Sequence, residues 1–186
     1  MNTRATLLNT AEQLARSRGF DAFSYSDLAE QVGIRKASIH HHFRTKGDLS
    51  LALITRYRDV FSDRLAAISA QDPRASGRLL AFLNLYRGAM LGGRSLCLCV
   101  AFSVTQHALP VDSRAQLAGF HADVTQWLEV VFRLALTDGS IRGVTSPKAE
   151  AQAALAAVEG AQIMARAARD VARFEAAIDT LRARVM

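Results

Sequence analysis

Apolar residues recur along this chain at helical spacing, and short polar or glycine-bearing breaks separate the runs. Leu7, Leu8, Ala11, Leu14 and Ala15 mark one face of a first helix, which Gly19 ends. Phe20 and Phe23 fall in a short connection. Ser24 followed by Asp27 has the form of a capping box and opens a second helix to about Val32, where Gly33 permits a tight turn. A third short helix is expected from Arg35 or Lys36 to Phe43. Thr45 and Asp48 repeat the cap pattern and open a long fourth helix to about Ala70, before Pro73.

Further helices are predicted over 76–91, 96–107, 113–137, 148–168 and 171–184. Gly92-Gly93, Pro110, Gly139 and Pro147 mark joints between them. No stretch sustains the period-two alternation of a strand, so the expected fold class is all-α, with about nine helices. The expected division is a three-helix amino-terminal domain over 1–46 and a helical body over 47–186.

Half of the 186 residues are hydrophobic, which calls for a packed core. A net charge of +6 suits a polyanionic partner without requiring one. Residues 1–64 hold ten Lys and Arg against seven Asp and Glu, or +3, so any nucleic-acid face must come from local placement. The amino terminus lacks the apolar core of a signal peptide. The most apolar stretch, Leu96–Val104, is shorter than the roughly 20 residues of a membrane span, and a cytoplasmic protein with no membrane partner is expected. Cys97 and Cys99 are then expected as thiols.

Two short helices joined by a glycine turn can present the second to a DNA major groove. Leu28, Ala29, Val32, Ile34, Ile39 and Phe43 can close a small core, leaving Lys36, Ala37, Ser38, His40 and His41 around the outer side of the third helix. His40, His41 and His42 project about 100° apart and cannot converge on one ion, so no metal is expected.

Ser24-Tyr25-Ser26-Asp27-Leu28-Ala29, Val32-Gly33-Ile34, Lys36-Ala37-Ser38-Ile39, His42-Phe43, Lys46 and Leu49 together resemble the amino-terminal signature of the TetR/AcrR regulators. The resemblance covers about residues 4–50 and implies a homodimer on a near-palindromic double-stranded operator, commonly a repressor released by a small-molecule inducer. It implies groove contacts at Lys36, Ala37, Ser38, His40 and His41, and backbone contacts at Tyr25, His42 and Lys46. A cation in the first turn of a helix opposes the helix dipole, so Lys46 is expected to meet a phosphate there. His40 and Arg35 depart from the family pattern, which has Tyr and a capping Ser or Thr at these places.

The resemblance also implies pairing of the last two helices with those of a partner subunit. Gly160 and several alanines on 148–168 are compatible with close approach. An effector pocket is expected among the helices spanning 46–137, with candidate lining by Phe82, Tyr86, Met90, Phe102, His107, Phe120, His121 and Trp127. Cys97-Leu98-Cys99 after Arg94 is similar to a segment in regulators of electrophilic or acrylate-like compounds. A thiol in a helix's first turn is activated by the dipole, while a buried cysteine is an inert small hydrophobe, and both readings stand for Cys97 and Cys99. No cofactor motif, nucleophile–base pair of defined spacing or paired-carboxylate motif is present, so no enzyme is expected. The other reading is a helical adaptor without DNA binding, which would not need polar groove-facing residues on a capped third helix.

Overall fold

A computed structural model describes residues 2–104 and 109–186. The described residues form α1 (Thr3–Arg18), a 3₁₀ turn (Phe20–Ala22), α2 (Tyr25–Val32), α3 (Lys36–His42), α4 (Lys46–Gln71), α5 (Ala75–Ala89), α6 (Leu98–Ser103), α7 (Val111–Asp138), α8 (Pro147–Ala168) and α9 (Ala172–Arg182). Extended pairing among them is one isolated antiparallel bridge, Ile141 with Val185. The fold is all-α. The helix expected over 96–107 is the one most changed: it begins at Leu98 and ends at Ser103.

Two compact units emerge, and both α4 and α7 run from one into the other. The first comprises Met1–Asp59 and Leu98–Gly119. The boundary expected at residue 46 therefore falls at the start of α4, inside this unit. Its core buries Leu7, Leu8, Ala11, Leu14 and Ala15 of α1 with Leu28, Ile39 and Phe43. Phe20 packs against Phe23 edge to face at 5.6 Å and against Phe102 at 4.9 Å. The Ser50 and Ser113 hydroxyls, both fully buried, satisfy each other at 2.8 Å.

The second unit comprises Val60–Cys97 and Phe120–Met186. Asp138, at the end of α7, accepts from the Ala75 N–H at 2.8 Å, and the Ser140 hydroxyl accepts from the Ser76 N–H at 2.9 Å. These two oxygens cap α5, whose own Arg74 supplies no side-chain cap. Glu150 of α8 receives both guanidinium nitrogens of Arg184 at 2.7 and 2.9 Å, pinning the carboxy terminus.

Candidate nucleic-acid interface and effector cluster

The Ser24 hydroxyl accepts from the Ser26 and Asp27 amides, and Asp27 accepts in return from the Ser24 N–H at 2.7 Å, so α2 starts on a closed capping box. These bonds, led by the Ser24 hydroxyl, lower the Asp27 pKa. Gly33 ends α2 at φ +74, a left-handed conformation that L side chains rarely adopt, and its N–H returns to the Ala29 and Glu30 carbonyls. The chain thereby turns into α3. Ile39 of α3 is fully buried, and on either side of it Lys36, Ala37, Ser38, His40 and His41 are exposed.

Interior contacts hold the carboxy-terminal end of this helix. The Tyr25 hydroxyl reaches the Thr45 carbonyl at 2.6 Å and the Phe43 carbonyl at 3.1 Å, just beyond α3. Burial, with the Asp48 charge adding, pushes the Tyr25 pKa up to about 12, so the hydroxyl stays a donor. His40 meets the Tyr25 ring edge at 5.0 Å and its Nδ1 lies 3.1 Å from the Arg44 carbonyl. A carbonyl only accepts, so Nδ1 is the donor in this contact.

Aromatic rings gather in the second unit. Phe61 meets Tyr86 at 5.8 Å and Phe120 at 5.0 Å, and Phe82 meets Tyr86 at 4.9 Å and stacks on Trp127 at 5.8 Å. The indole N–H donates to the Ser69 hydroxyl at 2.9 Å. One edge of the cluster is polar. The Tyr86 hydroxyl donates to Glu159 Oε1 at 3.4 Å, and His121 Nε2 lies 3.4 Å from the same oxygen.

The geometry of the first unit meets a family pattern. The family described as bacterial regulatory proteins, tetR family, matches residues 7–53, the stretch that contains the capping box, the glycine turn and α3. A TetR-family transcriptional regulator from Agrobacterium tumefaciens has a solved structure that superposes with a TM-score of 0.92 at 28% identity, covering 98% of this chain and 97% of that one. Residues 7–53 match the amino-terminal domain of the TetR family, and the chain is similar over nearly its whole length to TetR-family regulators. The HTH-type transcriptional repressor NemR of Escherichia coli (strain K12) is 27% identical over 180 residues, 95% of this chain and 90% of NemR. A crystal structure of the reduced form of E. coli NemR superposes with a TM-score of 0.86 at 25% identity, covering 100% of this chain and 98% of that one.

The chain is a DNA-binding transcriptional regulator and not an enzyme. Among its described residues no helix is long and apolar enough to cross a membrane. Two residues expected at the DNA backbone make interior contacts. Tyr25 is only 6% exposed and its hydroxyl is engaged by two carbonyls, so it braces the end of α3 from inside. Lys46 donates to the Phe20 carbonyl at 2.7 Å, with its ammonium 4.7 and 4.6 Å from the Phe20 and Phe23 ring centres. Burial lowers its pKa, opposed by Asp21 and Asp27. An interior carbonyl and two ring faces surround the cation at this helix start. Two nearby amides are occupied, since Asp48 accepts from Thr45 N–H and Thr45 Oγ1 from Asp48 N–H. His42 is half-buried against His41 at 5.5 Å.

The effector candidates divide. Phe82, Tyr86, Met90, Cys97, Phe120, His121 and Trp127 lie in the second unit. Phe102 and Cys99 lie on α6 in the first, Phe102 beside Phe20. His107 falls outside the described residues. Cys97 immediately precedes α6, and its N–H donates to the buried Gln162 at 2.9 Å. Sequence reasoning did not find Glu159, whose role depends on three helices meeting. Nor did it find a half-open cleft of about 460 Å³ lined by Gly92, Gly93, Arg94, Arg166 and Arg169, because Arg166 is 72 residues from the Arg94 carbonyl it reaches.

Proposed function

We propose that this regulator is a homodimeric repressor that binds a near-palindromic double-stranded operator and leaves it when a small-molecule inducer enters the second unit. The observation that carries the reading is α3: a helix anchored by buried Ile39 and by Tyr25, with Lys36, Ala37, Ser38, His40 and His41 turned to solvent. Such a helix supplies a base-reading edge, and one copy offers too few contacts for a full operator. NemR, a relative over nearly the whole chain, is itself named a transcriptional repressor.

Dimerisation through α8 and α9 is supported by an open face on α8. A Cβ at Gly160 would meet nothing within 4 Å, and Ile163 and Met164 beside it are 41% and 62% exposed. Partner helices bearing the same small residues can approach there. The inducer's place is the aromatic cluster of Phe82, Tyr86, Phe120 and Trp127, whose polar edge at His121 and Glu159 supplies orientation. Its class, on the Cys97 segment, is a small electrophilic or acrylate-like compound. Differential affinity for two dimer shapes then changes the separation of the recognition helices and releases DNA.

The test is selection from random duplexes, followed by titration of the recovered complex with small α,β-unsaturated acids and aldehydes. Recovery of two inverted half-sites spaced by about one helical turn or a multiple, and dissociation on titration, are expected. Recovery of no preferred sequence sinks the repressor reading.

A further inference from the structure

The half-open cleft of the second unit has a lining unlike that of the aromatic cluster. Gly92, Gly93, Arg94, Arg166 and Arg169 line its volume of about 460 Å³, three cations and two glycines without an acidic side chain. The arginines come from two distant places in the sequence. Arg166 and Arg169 are three residues apart at the carboxy-terminal end of α8 and so share a face. Arg94 belongs to the turn after α5, and its carbonyl accepts from Arg166 Nη1 at 3.2 Å, which ties that turn to α8. Arg94 Nε donates to the Leu91 carbonyl at 3.3 Å, and neither Arg94 nor Arg169 forms an ion pair with a described carboxylate. The turn also presents bare backbone. Gly92 and Gly93 stand at φ +69 and +86 and have no side chain to cover their peptide groups. Among the described residues no acceptor takes the N–H of Gly92, Gly93 or Arg94, whereas the flanking Leu91 and Ser95 amides reach the Gly88 and Met90 carbonyls at 3.4 and 3.0 Å. Arg169 itself is held left-handed at φ +53, a conformation L side chains rarely adopt.

We propose that this cleft is an anion site, in which Arg94, Arg166 and Arg169 hold the phosphate or diphosphate group of a small molecule and the Gly92–Gly93 backbone offers further donors. The simpler explanation of Arg166 and Arg169 is that they offset the dipole at the end of α8. That end is equivalent to about half a negative charge, so one guanidinium would suffice. It also leaves Arg94 unexplained, 72 residues away from Arg166 in the sequence. A phosphate ester carries about −1.5 to −2 at pH 7 and three acceptor oxygens, enough to engage more than one guanidinium. Each planar guanidinium can meet two of those oxygens at once, and unclaimed amides beside such forks complete the donor set of a phosphate cradle. The volume exceeds that of a bare phosphate and leaves room for the group that bears it. None of the five lining residues belongs to the aromatic cluster, so this site is separate from the inducer pocket proposed above and does not depend on it.

The experiment titrates inorganic pyrophosphate into the DNA-free full chain by calorimetry at fixed ionic strength. Wild type, Arg94→Gln, Arg166→Lys, Arg169→Gly and Lys36→Ala are compared, with thermal melting and sedimentation as checks on folding and assembly. One saturable site per protomer is expected. Arg94→Gln and Arg169→Gly each weaken binding by about tenfold. Arg169→Gly carries the test if Arg94→Gln does not fold, because glycine takes φ +53 without strain. Arg166→Lys keeps the charge but loses the fork, and weakens binding by a smaller factor. Lys36→Ala, on the exposed face of α3, leaves binding unchanged. Citrate competes about tenfold less well than pyrophosphate, since carboxylates match the donor set less closely. No saturable binding to folded wild type, unchanged affinity in the arginine variants, or equal competition by citrate overturns the site. A loss in Lys36→Ala as large as in Arg94→Gln also overturns it, by placing the anion on the DNA-reading face. So does a wild type that binds no pyrophosphate while the arginine variants sediment as monomers, for the arginines would then pair with carboxylates of a second copy.

Discussion

The Nδ1 atom of His40 stands 3.1 Å from the carbonyl oxygen of Arg44, four residues further along. With Nδ1 donating, neutral His40 offers Nε2 as a hydrogen-bond acceptor on the exposed side of α3. In a major groove that acceptor pairs with an amino group, cytosine N4 or adenine N6.

His40→Ala should therefore relax preference at one position per half-site, normally a C or an A, by roughly 1–3 kcal/mol. Ser38→Ala should relax a different position. Quantitative binding to a library of single-base operator variants reads both, and an unaltered preference profile in both proteins would show that α3 is not the reader.

Lys46 and Lys36 should separate cleanly. Lys46→Met removes an ammonium bonded to the Phe20 carbonyl and should lower stability by about 1–3 kcal/mol while leaving the salt slope of DNA binding unchanged. Lys36→Ala, on the exposed start of α3, should keep stability and reduce that slope by about one unit. Denaturant titration and binding at several salt concentrations decide it. A fully stable Lys46→Met protein with a reduced slope restores the phosphate role.

His121 should make stability depend on pH in a set direction. Its pKa is raised in the folded protein, first by contact with Glu159, so its contribution is fully present below the ordinary value of 6.5 and is lost as pH rises through the folded value. The melting difference between wild type and His121→Asn should shrink across that range. A gap that widens toward alkaline pH contradicts the pairing with Glu159.

Gly160→Leu should fold as a protomer, because the added side chain starts in open space, yet sediment as a monomer. Met164→Asp, on the same open face, should do the same by placing charge there. Both monomers should lose operator affinity. Dimeric sedimentation of both variants would move the interface elsewhere.

The amino-terminal third was legible because its signals are local. A Ser and an Asp three apart make a capping box whatever surrounds them, and a glycine after Val32 permits the left-handed turn. The buried Ile39 follows from the spacing of apolar residues within a few turns, and so does the exposed row beside it. The remaining helices were found to within a few residues because Pro, Gly and helical spacing act over the same short range, except where α6 proved only six residues long.

Partners distant in sequence were not legible. Lys46 looked like a surface cation at a helix start until Phe20, 26 residues away, supplied a carbonyl and a ring. Tyr25 looked outward until carbonyls 18 and 20 residues on engaged its hydroxyl. Phe102 and Trp127 had equal standing as aromatics, and packing sent one to the core around Phe20 and the other to a stack on Phe82. Glu159 was one carboxylate among seventeen acidic residues until α5, α7 and α8 brought Tyr86 and His121 to it. Local order follows from backbone preference over a few residues. Which charges are neutralised, and by what, depends on which helix faces meet after the chain has closed loops of dozens of residues.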